Sequence, residues 1–93
     1  MQISDMYLVA ALVSYGAEYV EVDRSNPRRQ KFIFAEAPHE IYVQDGNHQV
    51  RIEKPTLDDV KIKFDNRMLW YPTSYPDVLR SIKSNIHGFN DNQ

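Results

Sequence analysis

Apolar and polar positions alternate most regularly between Glu18 and Glu36, EYVEVDRSNPRRQKFIFAE, and this stretch predicts a β-hairpin. Val20 and Val22 fall on one face of the first strand, with Glu21 and Asp23 on the other. In the second strand Phe32 and Phe34 alternate with Lys31, Ile33 and Ala35. A period of two marks a half-buried strand, because successive side chains point to opposite faces. The connection Ser25-Asn26-Pro27-Arg28-Arg29 consists of turn formers and cations and belongs in solvent.

Before the hairpin the period changes. Leu8, Ala11, Leu12 and Tyr15 recur at helical spacing, and Met6, Val9 and Val13 widen the apolar face, so this helix is expected to lie across one face of the hairpin. Ser4 is its expected N-cap, with Asp5 at the positive end, and Gly16 ends it in a left-handed C′ conformation.

A second hairpin follows Pro38, with Ile41 and Val43 facing Val50 and Ile52. Asp45-Gly46 suits a tight turn, and as a two-residue turn it would pair Ile41 with Val50 and Val43 with His48. The segment 57–66 reads two ways. Leu57, Val60, Phe64 and Met68 have helical spacing behind a Thr56/Asp59 capping pattern, while Val60, Ile62 and Phe64 alternate with Lys61 and Lys63 as in a strand. Met68 to Tyr71 is expected to be extended. Ser74 and Asp77 then announce a last helix, with Val78, Leu79, Ile82 and Ile86 on its buried face and Gly88 as its stop. The expected architecture is a small α+β domain: an antiparallel sheet of two hairpins, packed by an N-terminal helix and one or two C-terminal helices. Residues 1–93 make one domain, with 88–93 a flexible tail. The expected core joins Leu8, Leu12, Val20, Val22, Phe32, Phe34, Leu79 and Ile82.

Composition sets the margins. A chain of 93 residues, 42% of them hydrophobic, buries about 60–65% of its unfolded surface, so self-association or a partner would add useful stability. The net charge of −2 supplies no global field for nucleic acid or an anionic membrane. Absence of cysteine removes disulfides, thiolate zinc sites and cysteine nucleophiles. The apolar run Met6–Val13 is short for a membrane span and lacks the basic flank of a signal peptide, which leads to the expectation of a cytoplasmic protein.

Two blocks, YLVAALVSYG with VDRSNPRRQKFIFAE and later KFDNRMLWYPTSYPDVLRSIKSNIHG, resemble a small bacteriophage and bacterial domain family of unknown function. The resemblance implies a helix, a hairpin and two further helices in this order, and so inclines 57–66 towards helix. It also implies a phage-associated origin, with the host cytoplasm as location. The segment from Pro38 to Lys54 looks like an insertion relative to that family, and Pro76 stands where an aromatic or aliphatic residue is expected. The resemblance carries over no active site.

Catalytic chemistry has little material. His39 and His48 lie several pairs apart in the predicted hairpin, too far to share an ion, so no metal or cofactor is expected. Adjacent Asp58 and Asp59 serve a helix start, the serines have no neighbouring base, and the glycines are accounted for by turns and helix ends. A small hydrolase or nuclease is the weakest of three function classes. The leading class is a non-enzymatic accessory module binding a host or phage protein, or a second copy of itself. Its expected site is Trp70, Tyr71 and Tyr75, large aromatics beside two prolines, of types that anchor protein interfaces. The alternative is a nucleic-acid-binding factor using Arg24, Arg28, Arg29 and Lys31, four cations in eight residues without an acid. A second stripe, Arg80, Lys83 and His87, is explained equally by the dipole of the last helix.

Overall fold

The computed structural model describes residues 1–26 and 28–91, with the side chains of the last helix described as far as Ser84. It is an α+β fold with three helices and two antiparallel sheets. The chain runs β1 (Gln2–Ile3), α1 (Met6–Ser14), β2 (Tyr19–Asp23), β3 (Lys31–Phe34), β4 (Glu40–Asp45), β5 (His48–Glu53), α2 (Leu57–Asp65) and α3 (Tyr75–Asp91). The first sheet has the order β1-β3-β2, and the second pairs β4 with β5. β1, too short to show a period in the sequence, pairs Gln2 with Ile33 and Ile3 with Phe32.

Helix α1 starts one residue later than the sequence suggests. Asp5, not Ser4, is the N-cap, its carboxylate accepting the Tyr7 amide at 2.9 Å and the Leu8 amide at 3.4 Å. The C-terminal end closes at Gly16, whose φ of 102° is open only to a residue without a Cβ. Gly16 N–H donates to the Val13 carbonyl and Ala17 N–H to that of Leu12, the paired bonds of a Schellman motif.

The hairpin β2–β3 forms as its alternation predicts, with one correction. Tyr19 pairs with Phe34 and Glu21 with Ile33, which leaves Val20 as the extra residue of a β-bulge. Val20 is 67% exposed and does not join the core. The bulge resets the alternation, so Tyr19 and Val22, three residues apart, both lie on the inner face. Tyr19 stands edge-on to Phe32 at 5.0 Å and to Phe34 at 6.1 Å between ring centroids. Turning in the larger aromatic buries more apolar surface than turning in Val20 would.

The second hairpin turns at Gly46-Asn47 and not at Asp45-Gly46, so Val43 pairs with Val50 and Ile41 with Ile52. Gly46 holds a φ of 61° at the first central position, where a II′ turn requires glycine. The register differs from the expected one by two residues, and every apolar side chain therefore keeps its face.

Segment 57–66 is settled in favour of the helix. Thr56 and Asp59 make a reciprocal capping box, both bonds at 3.0 Å. Val60 is fully buried, with Leu57 and Phe64 packed on the core, whereas Ile62, which the strand reading would place beside Val60, is 53% exposed. Helix α3 continues through Gly88 to Asp91, so the predicted stop does not act as one. The side chains of Ile86 and His87 and the tail positions 92–93 lie outside the described part.

One cluster of buried side chains joins these elements: Leu8, Val9 and Leu12 from α1, Phe32 and Phe34 from β3, Ile41 and Val43 from β4, Val60 from α2, Leu69, and Ile82 from α3. Val22 and Leu79 pack against it half-buried.

Candidate binding surface

The surface around Trp70 is built by the way α2 ends. Asn66 is the C-cap, and Arg67 follows with a φ of 59°, the left-handed conformation that glycine holds at the end of α1. Arg67 N–H donates to the Phe64 carbonyl at 3.0 Å and Met68 N–H to that of Lys63 at 2.9 Å, a second Schellman motif. The turn delivers Met68–Trp70 onto the free edge of β4. Gln44 N–H donates to the Met68 carbonyl at 2.7 Å and Trp70 N–H to the Tyr42 carbonyl at 2.8 Å, with Leu69 opposite Val43. The extended conformation expected for Met68–Tyr71 is therefore that of a short strand-like addition beside β4.

Alternation along this addition sorts its side chains. Leu69 points into the core at 6% exposure, and Trp70 remains 44% exposed, its indole N–H donating to Oε1 of Gln44 at 2.9 Å. Tyr71 is 42% exposed and its ring lies 4.5 Å from that of Tyr75. Tyr75 is half-buried against the core, with its hydroxyl 3.5 Å from the Tyr7 carbonyl. The three aromatics singled out in the sequence are thus brought together, two at the surface and one supporting them.

Four further aromatics join them that sequence reasoning did not select. Tyr7 and Phe64, with Leu69, Tyr71 and Tyr75, line a cleft of about 530 Å³ that Asp65 and Arg67 border. Tyr15 and Tyr42 line a second cleft of about 420 Å³ on the other side of Tyr71, together with Trp70 and Pro72. The Lys83 ammonium lies over the Tyr7 ring, 5.0 Å from its centroid. Of the four, Tyr15 and Phe64 carried a legible signal, each from its place on the apolar face of a predicted helix, whereas Tyr7 and Tyr42 carried none.

Burial raises the pKa of Tyr15 above the ordinary phenol value, and the Tyr42 amide bond opposes that rise only in part. Tyr71 and Tyr75 are also raised, first by burial and then by neighbouring groups, the Asp5 carboxylate among them. All three are therefore neutral hydroxyls at neutral pH, able to donate as well as accept.

The basic cluster maps to the tip of the β2–β3 hairpin, with Arg24, Arg28, Arg29 and Lys31 all exposed. Its local charge is less uniform than the sequence run suggests. Asp23 pairs with Lys31 across the hairpin, and its carboxylate accepts the Ser25 amide at 2.9 Å. That backbone hydrogen bond holds the Asp23 pKa below the ordinary range, so an anion persists among the cations. Arg24 donates to Gln30, and Arg29 to the Ser4 hydroxyl.

His39 and His48 are both exposed, and no group of three potential metal ligands is found among the described residues. Asp59 is occupied by the capping box. No described helix is long and apolar enough to cross a membrane. No family model, curated protein or solved structure matches the chain.

Proposed function

We propose that the chain is a non-enzymatic accessory module of phage type that engages a host or phage protein through the surface centred on Trp70, Tyr71 and Tyr75. The observation that carries this reading is the exposure of Trp70 and Tyr71, at 44% and 42%, side by side on a backbone already fixed to β4. Tryptophan and tyrosine dominate interface energetics, and anchors on an ordered backbone lose little entropy on binding. The tyrosine hydroxyls keep such a surface compatible with water in the free protein. Phage origin, and with it action in the host cytoplasm, rests on the resemblance of the two sequence blocks. Self-association through the same surface is the homodimeric form of this reading.

Capture from host lysate with and without nuclease, together with light scattering on the purified chain, tests it. Tyr71→Ala should weaken partner capture or dimerisation while leaving Tm nearly unchanged. Undiminished binding by Tyr71→Ala and Trp70→Ala, or unfolding of the Tyr71 variant, would defeat the reading. The exposed cations of the hairpin tip favour nucleic-acid binding as the second reading. Binding through them should fall with salt at a log–log slope of about −0.9 per phosphate contacted on duplex DNA. Asp23 at the base of the tip counts against it.

A further inference from the structure

The cleft bordered by Arg67 contains an unused strand edge. Val43 and Leu69 form the wide, non-hydrogen-bonded type of antiparallel pair, with the bonds made by the flanking residues Gln44, Met68, Tyr42 and Trp70. In such a pair the N–H and C=O of each member point away from the partner strand. Those of Leu69 form no hydrogen bond among the described residues, although the residue is only 6% exposed and lines the cleft. Backbone polar groups this deep are ordinarily paired.

The charges around the cleft are unequally satisfied. Asp65 is held by Lys61 at 2.7 Å, and Asp5 caps α1. The Arg67 guanidinium forms no ion pair or side-chain hydrogen bond among the described residues, and the Lys83 ammonium lies over the Tyr7 ring. Of the two charged side chains that line the cleft, Asp65 thus has a counter-ion and Arg67 has none among the described residues. Arg67 also keeps a backbone conformation that disfavours every residue with a Cβ.

We infer that this cleft receives an extended acidic peptide segment of the partner, which adds as a strand beside Leu69 and sets a carboxylate on the Arg67 guanidinium. The inference rests on the protein-binding reading above and names the partner's chemistry. A free carboxylate or phosphate could satisfy Arg67 but would leave the Leu69 carbonyl without a donor. One residue of a peptide backbone supplies both the donor and the acceptor that Leu69 lacks. Tyr71 and Tyr75 then wall the apolar side chain next to the acid.

The test uses the intact chain and two pools of ten-residue peptides, identical except for one central position that is Asp/Glu in one pool and Lys/Arg in the other, flanked by Val, Leu and Phe. Fluorescence polarisation should show the acidic pool binding at least about tenfold more tightly, the scale of a charge-assisted hydrogen bond. Arg67→Gly, which suits the left-handed backbone, should remove that preference in a folded protein. Hydrogen exchange at the Leu69 amide should slow on saturation with the acidic pool, and N-methylation of the central peptide residue should abolish binding. Equal or absent binding of the two pools, a preference that survives Arg67→Gly, or unchanged exchange at Leu69 would overturn the inference. If partner capture nonetheless depends on Tyr71, the protein-binding reading stands without it. If capture is indifferent to Tyr71 as well, that reading falls too.

Discussion

The hydroxyl of Tyr15 stands between the Tyr42 amide and the Trp70 carbonyl, accepting from the first at 3.2 Å and donating to the second. Trp70 N–H donates directly to the Tyr42 carbonyl, so only one bond of this antiparallel pair is made backbone to backbone. A side chain from the last turn of α1 completes the other. Helix α1, strand β4 and the aromatic segment are thereby tied at one oxygen atom. Tyr15→Phe preserves the ring and removes the bridge, leaving the part-buried Tyr42 N–H and the exposed Trp70 carbonyl without this partner. The expected loss is about 1–3 kcal/mol, read by urea denaturation, with faster hydrogen exchange at the Tyr42 amide as the local signature.

The bulge in β2 allows a sharper test than core truncation alone. Leu12, 1% exposed, should cost about 2–5 kcal/mol when replaced by alanine, the usual range for a core leucine. Val20, apolar and in phase with the strand, should tolerate serine within about 0.5 kcal/mol because the bulge turns it to solvent. Equal losses at the two positions would mean that Val20 is buried in solution.

Arg67 is held where glycine is preferred. Arg67→Gly relieves a left-handed conformation that costs an L-residue about 1–2 kcal/mol, against about 0.4–1 kcal/mol of added unfolded-chain entropy. The variant should be as stable as the parent or more so, and the urea midpoint should not fall. A clear fall would show that the Arg67 side chain makes stabilising contacts in the free protein.

Asp59 sets the sign of one pH effect. The Thr56 amide, bonded to its carboxylate, lowers its pKa from the ordinary 3.8 in the folded state. A group depressed by folding contributes stability that is fully present above the unfolded value and is lost as pH falls through the folded one. Acid should therefore weaken the start of α2 below pH 3.8. Asp59→Asn should lower stability at neutral pH and flatten the acid limb of the denaturation profile. An unaltered acid limb would assign the effect to Asp23, which is depressed in the same way by the Ser25 amide.

Local periodicity and end signals determined much of this protein. Gly16, the Phe32/Phe34 alternation and the Thr56/Asp59 box each act within a few residues of chain, where backbone sterics and short hydrogen bonds decide, and each is found in place. The α+β class follows from them. Clustering of Trp70, Tyr71 and Tyr75 was likewise legible, because three neighbours in sequence cannot lie far apart in space.

What tertiary structure decided depends on partners distant along the chain. Val20 and Tyr19 compete for one inner position, and the rings of Phe32 and Phe34 favour the tyrosine through a bulge that no local pattern announces. The strand period of Val60, Ile62 and Phe64 is as regular as the helical one, and it yields because the core accepts Val60 and Phe64 together but has no place for Ile62. The Tyr15 bridge, the clefts on either side of Tyr71 and the unpaired edge at Leu69 exist only once α1 and β4 meet the chain leaving α2. Contacts across 27 and 55 residues of sequence have no periodicity to reveal them, since only packing in three dimensions makes them neighbours.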